Sequence, residues 1–213
     1  MLDSRVLESP RVSALLEWGV ASRPMRGESV AGDSHVLVMS GDLATVAVVD
    51  GLGHGVEAAE AARRAAAVIE RGHGRGPIPL VRECHSALIG TRGVTMSLAH
   101  INCLDETMTW MAIGNVEGLL VRADGNAGPV REAIVMRGGV VGYDLPMLRA
   151  TTLTICRGDL LVFATDGVDA AFSDRLSISR SPQQQAEEIL AHYGTRNDDA
   201  LVLVARYLGR EDS

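Results

Sequence analysis

Val46-Ala47-Val48-Val49-Asp50-Gly51 and Leu161-Val162-Phe163-Ala164-Thr165-Asp166-Gly167 share one design, an apolar strand that ends in Asp-Gly. Burial of such a strand fixes the terminal carboxylate, and glycine lets backbone pass close to a ligand with no Cβ in the way. Each aspartate is therefore expected at a rigid rim, with a helix after each Asp-Gly pair. Two further carboxylate positions arise in similar settings: Asp33 in Ala31-Gly32-Asp33 before a strand, and Asp198 with Asp199 before the last strand. One aspartate at a strand end is ordinarily a turn or cap residue, because its short side chain bonds nearby backbone. Four at a shared rim would be another matter, since crowded carboxylates repel and raise one another's pKa unless cations neutralise them.

Outward from these two stretches the chain reads as strands in hairpins with a few helices between them. Residues 13–22 suit a strand, and a Gly- and Pro-containing loop follows that should deliver Asp33. Residues 35–39 and 43–49 flank Ser40-Gly41-Asp42 as a hairpin. Residues 56–71, rich in Ala, Glu and Arg, form a helix stopped by Gly72-His73-Gly74, and 80–89 form a second amphipathic helix. From 94 to about 135 short β-like pieces alternate with turn signals at Leu104-Asp105-Glu106 and Ala123-Asp124-Gly125-Asn126, which reads as an antiparallel meander. Residues 151–156 and 159–165 flank Arg157-Gly158 as another hairpin. Ser181-Pro182 opens a helix that runs to Tyr193, and 201–207 make the last strand. Runs of this kind give an α+β class rather than alternating βαβ. No linker or repeat divides the chain, so one domain over 1–213 is expected.

Composition narrows the function. A formal net charge of -7 opposes the electrostatic footprint of a nucleic-acid binder, so no nucleic-acid partner is expected. All 20 basic residues are arginine, and aromatics are only 3% of the chain, which leaves Val, Leu, Ile and Ala to fill the interior. No apolar run approaches the roughly 20 residues of a membrane helix, and the first residues lack a signal-peptide core. A cytoplasmic location with no membrane partner is expected. Cys84, Cys103 and Cys156 show neither a disulfide framework nor zinc-ligand spacing and read as small buried hydrophobes. Oxygen-only ligands select hard cations, so the aspartates point to magnesium or manganese rather than zinc.

The ordered set VAGD at 30–33, VVDGLGHG at 48–55, TMSLAHI at 95–101, FATDGV at 163–168 and NDDALVLVARY at 197–207 resembles the metal-dependent PPM or PP2C-like serine/threonine phosphatases. The likeness is to their bacterial, SpoIIE-type branch and spans nearly the whole chain. It implies an α-β-β-α sandwich of two antiparallel sheets flanked by helices. It also implies two Mn2+ or Mg2+ ions: Asp50 bridging them, the Gly51 carbonyl on one, Asp166 and Asp198 on the other, and Asp33 on a metal or its water. The implied reaction is attack of a metal-activated water on phosphoserine or phosphothreonine of a protein. The length of the chain further resembles the stand-alone stressosome phosphatases of that branch, whose substrates would be phosphorylated STAS-domain proteins.

Two departures from the family pattern stand out. Leu52 occupies the place where many eukaryotic relatives carry a histidine proposed to protonate the leaving group, and His54, two residues on, is the candidate acid here; its alternative is a loop or capping histidine. Ala200 stands where a DDxT pattern would continue after Asp198. Asp199 is a lesser ligand candidate, and Thr165 is expected to pack or bond beneath the site. Two other readings compete. Gly51, Gly53 and Gly55 between a strand and a helix mimic a dinucleotide-binding loop, although Asp50 would then face a pyrophosphate. A catalytically silent metal-binding scaffold or sensor is the non-enzymatic alternative.

Overall fold

The computed structural model describes residues 15–124 and 129–209. Two sheets stack face to face. One has the order β1-β11-β10-β6-β7, built from β1 (Leu16–Arg23), β6 (Glu117–Val121), β7 (Arg131–Ala133), β10 (Leu160–Ala164) and β11 (Ala200–Tyr207). The other has the order β2-β3-β4-β5-β8, from β2 (Asp33–Ser40), β3 (Leu43–Gly51), β4 (Val94–Asn102), β5 (Thr107–Ile113) and β8 (Met136–Arg137), with β9 (Thr151–Thr154) also on β5. Pairing is antiparallel except between β5 and β8, which run parallel. Helices α1 (Val56–Gly72) and α2 (Pro77–Leu88) cover the outer face of the second sheet, and α3 (Pro182–Tyr193) covers the first. The expected α-β-β-α sandwich is the architecture found.

The layers follow from the period of the strands. Along β3, Val46 and Val48 enter the core between the sheets, while Ala47 and Val49 face α1. Both faces are therefore apolar, and the strand reads as an unbroken hydrophobic run. The alanines of α1 let it lie close to β2 and β3: Ala58, Ala61, Ala62 and Ala65 are all fully buried. Cys84 and Cys103 are buried hydrophobes as expected, with the Cys84 thiol pushed up to about 12, chiefly by burial. Cys156 is only partly buried. His85, next to Cys84, accepts the Gly142 amide at 3.0 Å, a structural contact. No helix among the described residues is long and apolar enough to cross a membrane.

Several local expectations need correction. The first strand begins at Leu16, and residues 13 and 14 lie outside the described residues. Asp33 is the first residue of β2 rather than the end of a loop. Helix α2 starts at Pro77, where a missing N–H costs nothing because first-turn donors have no intrahelical partner. The second Asp-Gly is followed by a 3₁₀ turn, Ala170–Arg175, and not by an α-helix. The meander is not one sheet: after β5 the chain crosses at Gly114-Asn115-Val116 to the opposite sheet for β6 and β7, then returns for β8. Of the turn signal at 123–126, Gly125 and Asn126 lie outside the described residues.

The hairpin expected across Arg157-Gly158 is likewise a crossing between sheets, since β9 pairs with β5 and β10 with β6 and β11. A buried acid holds this crossing together. Asp159 accepts the amides of Cys156 and Ala123 at 2.9 Å each, and Arg122 Nη1 at 3.0 Å. Arg122 also reaches the Thr154 carbonyl at 2.6 Å and Glu132, so one guanidinium joins β6, β7, β9 and the start of β10.

Candidate active site

The two Asp-Gly strands lie in different sheets and bring their carboxylates to one edge of the stack. Asp33 and Asp50 are register partners at the end of the β2–β3 pair. Across the sandwich, Thr165 Oγ1 donates to Asp33 Oδ2 at 2.9 Å and accepts the Leu201 amide at 2.9 Å. Thr165, next to Asp166, thus fastens the base of the site as expected. The glycines explain the packing. A Cβ on Gly51 would stand 2.2 Å from the Ala58 carbonyl oxygen of α1, and one on Gly167 would stand 1.9 Å from the Asp199 carbonyl oxygen. Only glycine allows a helix and a strand to close on these two points.

Asp50, Asp166 and Asp198 line one open cleft of about 340 Å³, together with Met25, Leu52, Gly53, His54, Thr95, Asn115, Val140 and Asn197. Asp33 and Gly51 adjoin the cleft rather than line it: Asp33 faces Asp50 in register, and Gly51 follows Asp50 as the last residue of β3. All five residues named as ligands in the sequence are therefore gathered at this edge. His54 lies at the rim with its side chain 55% exposed, and its Nδ1 is 2.8 Å from Glu28 Oε1. Asp199 is different: 3% exposed, it accepts the amides of Met25 and Gly32 at 2.8 Å each, and so anchors the segment before β2.

Sequence reasoning gave no role to Thr95 and missed Asn115 altogether. Thr95 Oγ1 lies 3.4 Å from Asp50 Oδ2 and 2.5 Å from Asn115 Oδ1, and Asn115 Nδ2 donates to Asp166 Oδ2 at 2.5 Å. These two side chains link the carboxylates of opposite sheets. The available signal is Gly114-Asn115, a turn pair directly after a strand.

The electrostatics are those of a cation site. Burial first, then repulsion from Asp166 and Asp198, push the Asp50 carboxyl up to about 7. Burial first and Asp50 second hold Asp33 well above the usual carboxylate range, against the relief from Thr165. Asp166 opens to the cleft, yet partial burial and then Asp198 still raise it, while Asn115 draws it back. Among the described residues no Arg or His forms an ion pair with Asp33, Asp50, Asp166 or Asp198. Such carboxylates fit hard dications, which would lower every one of these values. Among the described residues no three His, Cys, Asp or Glu side chains form a ready cage for one ion. The donors gathered here, carboxylates and a backbone carbonyl, are oxygens of the kind that hard dications take together with water.

The Gly51-x-Gly53-x-Gly55 spacing is not a dinucleotide loop. Strand β3 lies between antiparallel neighbours β2 and β4, so the parallel βαβ unit that such a loop requires is missing.

Comparison with known proteins agrees with this fold. The family model described as Stage II sporulation protein E (SpoIIE) matches residues 40–208. The phosphoserine phosphatase RsbX of Bacillus subtilis (strain 168) is 24% identical over 182 residues, covering 84% of this chain and 89% of that protein. A chain from the structure "The bacterial stressosome: a modular system that has been adapted to control secondary messenger signaling" superposes with a TM-score of 0.81 at 29% identity, over 90% of this chain and 99% of that one. RsbX in complex with magnesium also superposes at 0.81, with 22% identity over 95% of this chain and 98% of that one. With the family model covering most of its length, the chain belongs to the SpoIIE family of PP2C-like serine/threonine phosphatases.

Proposed function

We propose that this chain removes phosphate from phosphoserine or phosphothreonine on a regulatory protein, using Mn2+ or Mg2+ held by Asp50, the Gly51 carbonyl, Asp166 and Asp198, with Asp33 behind them. The observation that carries the reading is the convergence of Asp33, Asp50 and Asp166 from two sheets onto one edge, with all three carboxyls raised by burial and mutual repulsion. When bound, two such ions would neutralise the phosphoryl oxygens and supply a water-derived nucleophile at neutral pH. The chain's own residues orient the site. Asn115 and Thr95 fix the facing oxygens of Asp166 and Asp50, Thr165 fixes Asp33, and Asp199 pins the segment 25–32 against the cleft. Leu52 lines the cleft where many eukaryotic members of the family carry a histidine, and His54, at the rim with Nδ1 against Glu28, is the candidate acid for the departing serine oxygen.

For the substrate we propose phosphorylated STAS-domain proteins of a stressosome, supported by the likeness to RsbX and to the stressosome structure. Initial rates with manganese on phosphorylated STAS proteins and on unrelated phosphoproteins at equal concentration test this. A kcat/KM at least about tenfold higher on the STAS proteins is expected, a preference of about 1.4 kcal/mol in transition-state binding. Equal rates on all of them would remove the dedicated role. Metal binding with no turnover on any phosphoprotein or aryl phosphate would favour the silent scaffold.

A further inference from the structure

The cleft that must hold a phosphoryl dianion is lined by three aspartates and, among the described residues, by no arginine. One guanidinium, that of Arg92, touches a lining residue without itself lining the cleft. Gly53 has a φ of +86°, and a Cβ placed on it would lie 2.5 Å from Arg92 Nη1, so the guanidinium rests on a surface that only glycine leaves open. Arg92 is supplied by the short connection between α2 and β4. That connection is tied down: the Thr91 amide and hydroxyl both donate to the Leu88 carbonyl, at 2.9 and 2.7 Å, and the Leu52 amide donates to the Gly93 carbonyl at 3.1 Å. The last of these bonds joins the Arg92 segment to the Asp50-Gly51 loop itself.

Glu57, in the first turn of α1, decides which edge of the guanidinium is used. Its Oε2 takes Nε and Nη2, each at 2.6 Å, and this leaves Nη1 as the nitrogen on the Gly53 side. A guanidinium held on one edge by a carboxylate is oriented in advance, and its planar fork suits phosphoryl oxygens. A merely structural latch between α1 and β4 would need no such approach to a lining glycine.

We propose that Arg92, oriented by Glu57, binds a non-bridging oxygen of the substrate phosphoryl group through Nη1, across the bare face of Gly53. Arg92 is thus a substrate-binding residue and Glu57 its positioning residue. The assignment rests on the phosphatase reading and deepens it by naming the protein cation that meets the phosphate. Because the phosphoryl group is common to substrate and product, the contact acts on both alike and appears in KM and in inhibition by inorganic phosphate rather than in kcat.

The test compares the full chain with Arg92→Ala, Arg92→Lys and Glu57→Gln, using an aryl phosphate with manganese and then adding inorganic phosphate as inhibitor. Arg92→Ala is expected to raise both KM and the phosphate inhibition constant roughly tenfold, with kcat within about threefold. Arg92→Lys should recover part of the loss, and Glu57→Gln should show a smaller rise in the same two constants. Arg92 and Glu57 side chains are 47% and 71% exposed, so melting temperatures should stay near that of the parent, and Arg92→Lys keeps the comparison valid should the alanine variant be unstable. Unchanged KM and phosphate inhibition in an active enzyme would overturn the assignment. So would a KM rise confined to phosphoprotein substrates, which would place Arg92 against the protein around the phosphate. A parent chain with no activity on either substrate would instead sink the phosphatase reading, and this inference with it.

Discussion

Replacing Asp50 by asparagine should reduce manganese-dependent hydrolysis of an aryl phosphate by at least about 10³-fold, while making the metal-free protein more stable at neutral pH. Both effects come from the same carboxylate. Asp50 lies nearest the other charges, facing Asp33 in register, touched by Thr95, and repelled by Asp166 and Asp198. Removing its charge takes away a ligand and the repulsion together. The pH dependence has a definite sign. Asp50 is raised from 3.8 to about 7 in the fold, so the folded state favours its protonated form. Its destabilising contribution is absent below about pH 4, grows as pH rises towards 7, and is complete above that. Metal-free parent protein should therefore lose stability across that window in urea melts. Asp50→Asn should lose less, and manganese should remove most of the slope for the parent. A metal-free stability that rose from pH 4 to 7 would contradict the electrostatic description of the site.

The second large effect concerns stability and lies at the far end of β10 from Asp166. Asp159→Ala is expected to cost about 3–5 kcal/mol in urea denaturation, because it leaves Arg122 buried without its carboxylate partner and orphans two amides. Asp159 is fully buried and Arg122 is 3% exposed, so water cannot replace the lost bonds. Glu132 remains beside Arg122 and limits the damage, which is why the lower end of the range is acceptable. Asp159→Asn, which keeps oxygen and shape but loses charge, should fall between the two. The folded fraction of either variant should keep the parent's kcat, since Asp159 lies just before the start of β10 and Asp166 just past its end. A cost under 1 kcal/mol for Asp159→Ala would show that this crossing is not held by the buried acid.

These two aspartates also mark what the sequence made legible. Asp50 and Asp166 were readable because an apolar strand is a local pattern and Asp-Gly at its end is a local signal. Asp159 was hidden, because it sits beside Arg157-Gly158, and turn chemistry looks the same whether the next strand folds back on the last one or crosses to another sheet. The choice was made by Arg122, 37 positions away, which no local window contains. The same blindness merged β4 to β8 into one meander, since strands carry no mark of the sheet they join. Asn115 was missed for this reason too: its function exists only because the chain changes sheets there and so passes between Asp50 and Asp166. His54 and Leu52 were legible as a departure from a family pattern, and both line the cleft. Asp33 lies beside Asp50 in register but was given to a loop, since a strand's first residue and a loop's last one read alike.

Asp50, Asp166 and Asp198 line the one cleft in which the proposed dications would sit. Crystals grown from enzyme active with manganese, measured at a wavelength where manganese scatters anomalously, test it most directly. Anomalous peaks enclosed by these three carboxylates, beside the Gly51 carbonyl, are the expected result. Active protein whose only anomalous peaks lie away from all three would contradict the account.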